Sequence, residues 1–281
     1  MSQVLLGQVC LDIYTRSRRI VPGCGILHNA FHLQRAGHNP LLITRVGRAD
    51  SRELWRFFAH NQIRVLPDLV ENAGQSASIE VAVTDSGEAV ISNPVDGVWG
   101  NFRLTPLETD IISRATYLHT VLVKNLHAEF LRLARAGKLA APLVSADFLD
   151  LRDFTLEQLS QFLPYVDIAF IGWKGAPADP FLAQIEQLAR TQNVMTVITM
   201  GSRGIWLFDA LTTGSFQKKW YAVDPVPVQA NTNGCGDAFI GCFLAEYWLS
   251  RDRERAITRG QDGGRLATGW RFALPADAYP P

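Results

Sequence analysis

Residues 231–239, NTNGCGDAF, place two glycines and an aspartate directly before the apolar run at 238–249. The glycines let the backbone turn tightly, so the N–H groups of Gly234, Cys235 and Gly236 can converge where the following helix begins. The first N–H groups of a buried helix need acceptors, and the helix dipole is positive at this end. The segment therefore predicts a cradle for a phosphoryl group, or for the charge that develops as one is transferred.

Asp237 opens the same helix beside this cradle. The helix dipole favours its ionised form, and a carboxylate at this place can accept the proton of an alcohol that attacks phosphorus. A structural role is the alternative, because an acid in the first turn stabilises a helix by about 0.3–1 kcal/mol. The loop alone leaves both roles open.

Short apolar runs alternate along the chain with longer segments of helical period: QVLLG, PLLITRV, YLHTVLV, APLVSA, VDIAFIG and VMTVITM. The alternation predicts an α/β fold whose doubly wound, mostly parallel sheet is flanked by helices. Two β-rich segments interrupt it, at about 13–22 and 76–100. We predict that they pair as a small β-sheet lid over the carboxyl ends of the strands, inserted in one domain that spans 1–281. The ending FALPADAYPP is predicted to be a loose tail.

The composition excludes several classes of partner. Lys+Arg and Asp+Glu both number 27, so no net field favours nucleic acid or an anionic membrane surface. No apolar stretch is long enough to predict a membrane span. The cysteines lack C-x-x-C spacing, which predicts neither a zinc ribbon nor a disulfide framework and favours a reducing cytoplasm: Cys10, Cys24, Cys235 and Cys242. The expected partner is a small molecule.

NTNGCGDAF closely resembles the D-T-x-G-A-G-D-x-F signature of the ribokinase-like, or PfkB, carbohydrate kinases. Other segments resemble that family in the expected order from residue 4 to about 250, namely GQVCLD, CGILHNAFHLQRAG, RVGRAD and VITMGSRG. The resemblance implies a ribokinase-like fold and the transfer of the ATP γ-phosphoryl group to a sugar hydroxyl, with Mg²⁺ bridging the phosphates. It also implies a homodimer formed through the lid.

The resemblance assigns roles to individual residues. Catalytic roles fall on the base and on the amides of the anion cradle: Asp237, Gly234, Cys235 and Gly236. Substrate-binding roles fall on Asp12, Gly25 and Asn29. Cofactor-binding roles, toward the nucleotide, fall on Thr199, Gly201 and Gly204. No residue is assigned to the metal.

Some positions depart from the family pattern. Asn231 stands where the family has aspartate, Cys24 replaces one of the paired glycines, and GWKG at 172–175 replaces the N-x-x-E element. The last part, TRGQDGGRLATGWRF, lacks the helix that carries an adenine-side asparagine. These departures leave open the magnesium arrangement and the adenine pocket.

Two interpretations accommodate the departures. The fructosamine kinase branch, of the fructoselysine 6-kinase type, resembles this chain in its abbreviated lid and in departing from N-x-x-E. The alternative is a catalytically inactive homologue that binds a sugar or a nucleotide. The presence of Asp237 and both loop glycines favours catalysis.

A few further residues are weaker candidates. His28 and His32 lie one helical turn apart without the H-E-x-x-H pattern, so we interpret them as packing histidines and not as metal ligands. Trp99 is a candidate for stacking on a sugar at the lid edge. Two acids and an arginine that follow a strand line either the cleft or a solvated loop: Asp147, Asp150 and Arg152.

Overall fold

A computed structural model describes residues 2–140, 142–151, 154–211 and 215–281 of the chain. Arg152, one of the predicted cleft residues, lies outside the described residues. Contacts between residues divide the chain into two compact units. One unit is Leu104–Val226 together with Ser2, and the other combines Gln3–Arg103 with Pro227–Pro281. The first is referred to below by its main range.

The strands are numbered in chain order. Those before residue 104 are β1 Gln3–Leu6, β2 Cys10–Tyr14, β3 Arg19–Gly23, β4 Leu41–Ile43, β5 Val46–Gly47, β6 Arg64–Val65, β7 Glu71–Asn72, β8 Ala77–Val83 and β9 Ala89–Val95. Those after it are β10 Tyr117–Val121, β11 Leu143–Asp147, β12 Ile168–Gly172, β13 Met195–Thr199, β14 Ile205–Asp209 and β15 Gln217–Tyr221.

The helices are numbered in the same way: α1 Gly25–Arg35, α2 Arg52–His60, α3 Pro67–Val70, α4 Pro106–Ser113, α5 Lys124–Arg135, α6 Leu156–Phe162, α7 Pro180–Gln192, α8 Cys235–Ser250 and α9 Arg253–Ala267. Short 3₁₀ helices occupy Gly97–Asn101, Leu163–Tyr165, Gly201–Arg203 and Ala276–Ala278.

In the unit Leu104–Val226 the strands lie in the order β15-β14-β13-β12-β11-β10. The pairs from β10 to β13 are parallel, whereas β14 and β15 add to the edge as antiparallel strands. β10 and β12 are mostly apolar and almost wholly buried, as strands covered on both faces are. The apolar runs predicted as core strands in this unit are therefore confirmed.

In the other unit, β1, β4 and β6 pair in parallel. A separate sheet has the order β3-β2-β8-β9. β8 and β9 form the hairpin predicted at DSG, where Gly87 takes a φ of +81° and donates its N–H to Thr84 O at 2.9 Å. The two β-rich segments thus pair as predicted, and the action of this sheet as a lid stays a prediction.

α8 is apolar on nearly every face, because it packs between α1 and α9. The contact with α1 is close: a Cβ on Gly241 would lie 2.6 Å from His32 Cβ. Position 241 must therefore be glycine for α1 and α8 to pack this closely.

The predicted loose tail is wrong. Leu274 and Ala278 are fully buried, and the carbonyl oxygen of Ala278 accepts a 2.8 Å hydrogen bond from the side-chain amide of Asn61. Tyr279 packs edge-on against Phe272. The ending is apolar and short, so its order comes from burial against α2 and the separate sheet, which a local pattern does not reveal.

Candidate active site

Gly234 precedes α8 with a φ of +79°. A Cβ at this position would lie 2.4 Å from the carbonyl oxygen of Ala273. Both the left-handed backbone and the close approach require glycine. The turn that directs the chain into α8 therefore depends on Gly234.

The amides around this turn differ in part from the predicted cradle. The N–H of Cys235 donates to Thr232 O at 3.3 Å, because the left-handed residue before it closes a turn. The N–H groups of Gly234, Gly236 and Asp237 have no acceptor in the described part of the chain. The Cys235 amide thus belongs to the turn, and three neighbouring amides are available to an anion.

Gly236 borders open space. It is exposed, its φ is not positive, and a Cβ added there would meet no other atom within 4 Å. The Cys235 side chain beside it is half-buried, and burial together with the Asp237 charge raises the pKa of its thiol to about 12. The cysteine is therefore protonated at neutral pH and is no nucleophile.

Among the described residues, His28 on α1 is the side chain that is hydrogen-bonded to the Asp237 carboxylate. His28 Nδ1 lies 2.6 Å from Asp237 Oδ2, and the exposed fractions of the two side chains are 2% and 20%. Burial alone would lower the pKa of His28, but the hydrogen bond to Asp237 and the charges of Asp237 and Asp12 outweigh it and raise the pKa. The site therefore holds a carboxylate paired with a buried imidazole.

Asp12 lies on β2 and is 1% exposed. Its Oδ1 accepts from the Cys10 thiol at 3.2 Å, and its Oδ2 accepts from Asn233 Nδ2 at 3.4 Å. Burial raises the pKa of Asp12, and the charge of His28 partly offsets this. The predicted sugar-binding acid thus lies in the same polar cluster as the His28–Asp237 pair.

Asn233 joins the glycine loop to this strand. Its Nδ2 also donates to the Tyr14 hydroxyl at 2.8 Å. The Tyr14 ring packs edge-on against Phe272 with ring centroids 4.8 Å apart. Asn233 therefore links the glycine loop to Tyr14 on β2, and Tyr14 in turn contacts the chain end.

The other predicted substrate residues lie at the start of α1. Gly25 is the first residue of the helix, and Asn29 is fully buried one turn further on. Cys24, which replaces a family glycine, has a φ of +77°, where glycine is preferred. The structure therefore brings Asp12, Asn29 and Asp237 into one unit and adds His28 to them.

Asn231 has a structural role. It is 1% exposed, and its Nδ2 donates to Trp270 O at 2.8 Å and to Arg271 O at 2.9 Å. Its Oδ1 accepts from the Asn233 N–H at 2.7 Å. The side-chain amide of Asn231 thus both donates and accepts hydrogen bonds, whereas an ionised aspartate could only accept them. These contacts account for asparagine at this position.

The predicted nucleotide residues lie in the unit Leu104–Val226. Thr199 ends β13, and the following turn contains Gly201 and Gly204 with φ values of +59° and +129°. A Cβ on Gly204 would lie 2.2 Å from the Trp220 ring, whereas one on Gly201 would meet nothing within 4 Å. Gly201 therefore leaves space beside the turn.

The segment that replaces N-x-x-E is held by tertiary contacts. The Trp173 ring stacks on Phe181 with centroids 5.4 Å apart, and its indole N–H donates to Ala176 O at 3.2 Å. The Arg203 guanidinium donates to Trp173 O at 2.9 Å. In the described ranges no three His, Cys, Asp or Glu side chains cluster as metal ligands would.

Several weaker candidates differ from expectation. Trp99 is fully buried, and its indole N–H donates to Arg45 O at 3.0 Å, so it cannot stack on a sugar. Asp147 is buried and accepts from the Leu149 N–H at 2.8 Å, whereas Asp150 is half-buried. The interpretation of His28 as a packing residue is incomplete, because its ring is also hydrogen-bonded to Asp237. The sequence signal for this contact is an ionisable residue directly before Asn29, which the family resemblance assigns to the substrate.

Among the residues that the structure describes, the helices lack the length and apolar character that a membrane crossing needs.

Comparison with known proteins gives matches along nearly the whole chain. The model of the pfkB family carbohydrate kinases matches residues 29–269. The chain is 26% identical over 259 residues to fructoselysine 6-kinase of Escherichia coli (strain K12). This alignment covers 91% of this chain and 92% of that protein. The chain is 24% identical over 280 residues to fructosamine kinase FrlD of Bacillus subtilis (strain 168), with coverages of 96% and 91%.

A solved structure supports the same fold. The ribokinase of Cryptococcus neoformans var. grubii serotype A, in complex with ADP, has a TM-score of 0.76 at 18% identity. The match covers 100% of this chain and 97% of that one. The predicted ribokinase-like α/β fold is therefore confirmed.

Proposed function

The chain belongs to the pfkB family of carbohydrate kinases, and from this premise we propose that Asp237 is the general base of its reaction. The reaction is the ATP-dependent phosphorylation of a hydroxyl group on a sugar or sugar derivative. One observation carries the proposed role: the Asp237 carboxylate lies in the first turn of α8, beside N–H groups that have no acceptor in the described residues.

The geometry of Asp237 leaves one carboxylate oxygen for chemistry. Oδ2 is bonded to His28, so Oδ1 takes the proton of the acceptor hydroxyl. The alcohol oxygen then forms its bond to the γ-phosphorus as the bond between that phosphorus and the bridging oxygen of ADP breaks. The N–H groups of Gly234, Gly236 and Asp237 stabilise the charge that develops on the transferred group.

We assign substrate contacts to Asp12, Gly25 and Asn29. The hydrogen bonds of Asp12 and its place beside His28 and Asn233 support this assignment. The relatives named as fructoselysine 6-kinase and fructosamine kinase match this chain over 91% and 96% of its length. They support a fructosamine, a sugar that carries an amine substituent, as the substrate class.

We assign nucleotide contacts to Thr199, Gly201 and Gly204. The open space at Gly201 supports this, because a backbone without a Cβ can lie close to a ligand. We also propose that ATP is used together with Mg²⁺, which would neutralise phosphate charge when bound.

We also propose that the protein acts as a cytoplasmic homodimer and that residues 1–281 function as one kinase domain. The four cysteines are free thiols, which suits a reducing compartment. The separate sheet, our proposed lid, exposes the apolar side chains of Ile20, Val90, Ile91 and Val95, and these favour a second copy as the partner.

The proposed function is tested by ADP release. Purified protein with ATP, Mg²⁺ and a panel of sugars and fructosamines should release ADP with at least one acceptor, above the rate with ATP alone. Thermal shift with each acceptor measures binding separately. A sugar that stabilises the protein without any ADP release would favour the inactive homologue instead.

Replacing Gly236 by alanine should separate activity from stability. The methyl group enters open space, so the free energy of unfolding should stay equal or rise by about 0.5–1 kcal/mol, as for glycine in a helix. The same methyl would lie where we expect the phosphoryl group, and kcat/KM should fall at least about tenfold. Urea unfolding and ADP release measure the two effects.

Gly100→Ala is the matched control. Gly100 is also exposed without a positive φ, and its added Cβ would have its nearest neighbour at 3.8 Å. It should retain both activity and stability. Equal activity of the Gly236→Ala protein and wild type would contradict the phosphoryl site beside Gly236.

A further inference from the structure

We propose that His28 is a positioning residue for the general base, because its buried imidazole holds the Asp237 carboxylate through a hydrogen bond. This inference rests on the proposed function of Asp237. It assigns a role in the reaction to a residue of α1, far from the glycine loop in sequence.

The two partners belong to helices that are packed together. His28 Nδ1 lies 2.6 Å from Asp237 Oδ2, just below the range of about 2.7–2.9 Å for charge-assisted N–H···O hydrogen bonds. α1 and α8 approach closely at Gly241, one turn beyond Asp237. The imidazole therefore rests on a rigid support and has little freedom to leave the carboxylate.

The hydrogen-bonding capacity of His28 is directed at Asp237. Its Nε2 is buried and has no hydrogen-bond partner among the described residues. An imidazole that faces a carboxylate through Nδ1 must carry its proton there. Nδ1 thus donates to Oδ2, and Oδ1 of Asp237 is left for the acceptor hydroxyl.

The charges around His28 favour its protonated form. Asp237 on α8 and Asp12 on β2 both act on it, and together with the hydrogen bond they raise its pKa against the effect of burial. His32, on the same helix, shows the opposite behaviour, since burial lowers its pKa to about 4. The neighbours of His28 therefore favour its protonated form, whereas His32 is neutral at neutral pH.

This arrangement has a consequence for catalysis. The hydrogen bond fixes Oδ2 and thereby orients Oδ1 of Asp237. Loss of orientation at a reacting group reduces kcat with little effect on substrate binding.

Two substitutions of His28 test the hydrogen bond to Asp237. His28→Leu removes it, and kcat should fall by about 10²-fold while KM for ATP changes less than about twofold. His28→Asn supplies an N–H near the position of Nδ1, so kcat should recover at least about fivefold relative to leucine. Wild-type kcat in the His28→Leu protein, or no recovery in the His28→Asn protein, would overturn the inference.

An NMR titration tests the pair without activity. The His28 imidazole should titrate above the ordinary value of about 6.5 in the wild-type protein. In the Asp237→Asn protein its pKa should drop, because burial remains while the carboxylate charge is gone. An unchanged titration would show that the two side chains are not coupled and would also overturn the inference.

His32→Leu is the matched control, because His32 is buried on the same helix and its ring stacks on Trp270 without a carboxylate bond. It should leave kcat unchanged, because the hydrogen bond between His28 and Asp237 stays in place. The two proposals fail in different ways. Wild-type activity of Asp237→Asn would refute the base itself, whereas an inactive Asp237→Asn beside fully active His28 variants would refute only the role of His28.

Discussion

An Asp237→Asn variant should lose about 10²–10⁴-fold in kcat, the usual cost of removing a general base. The amide cannot take the proton of the acceptor hydroxyl at neutral pH. It keeps the shape of the carboxylate, and its oxygen can still accept the hydrogen bond from His28 Nδ1. ATP affinity and fold should therefore be retained. Initial rates of ADP release measure kcat, and calorimetric titration with ATP measures the affinity.

Asp262→Asn is a suitable control for this experiment. Asp262 is another helical aspartate of the same unit, and its side chain is 44% exposed and paired with Arg265. Its replacement should leave kcat unchanged, because a surface ion pair contributes little. If the Asp237→Asn protein turns over at the wild-type rate, a different group accepts the proton and our assignment is wrong.

The core strands could be predicted because their pattern is local. Strands such as Tyr117–Val121 and Ile168–Gly172 are short apolar runs between helical segments, and burial on both faces demands that composition. The apolar helix after Gly234 was equally clear, since a helix that is apolar all round must be enclosed. The DSG turn indicated the hairpin by its type.

The features that escaped prediction depend on contacts between distant residues. His28 and Asp237 are 209 positions apart, and neither neighbourhood indicates that the side chains meet. The engagement of the Cys235 amide depends on the left-handed conformation of Gly234, which a glycine permits but does not dictate. The ordered chain end depends on pockets that only the folded unit supplies.

The glycine loop contains both a feature that could be predicted from the sequence and one that could not. Its residue types indicated an anion site beside Asp237, because that chemistry needs amides at the start of a helix. They did not indicate that Asn231 fastens the loop to the segment of Trp270 and Arg271. A match to a family motif indicates which atoms the chemistry needs. It does not indicate the hydrogen-bond partners of a residue that departs from the motif, because these depend on the tertiary structure of the individual protein.

Restoring the family residue at position 231 should therefore destabilise this protein. Asn231→Asp should lower the free energy of unfolding by about 2–5 kcal/mol, since two buried donors are replaced by acceptors that face carbonyl oxygens. Burial and these carbonyls would raise the pKa of the introduced carboxyl in the folded state. The loss should then be smaller at pH 5 than at pH 7.5, because the protonated form supplies one donor and the folded state binds the proton more tightly.

Urea unfolding at the two pH values measures this effect, with Asn101→Asp as the control. Asn101 is exposed at the end of a 3₁₀ helix, so the same chemical change there should alter stability by less than about 0.5 kcal/mol. If Asn231→Asp unfolds at the same urea midpoint as wild type, the bonds to Trp270 O and Arg271 O do not hold the loop. A loss that is equal at both pH values would instead mean that the ionised carboxylate finds a cation in the folded protein.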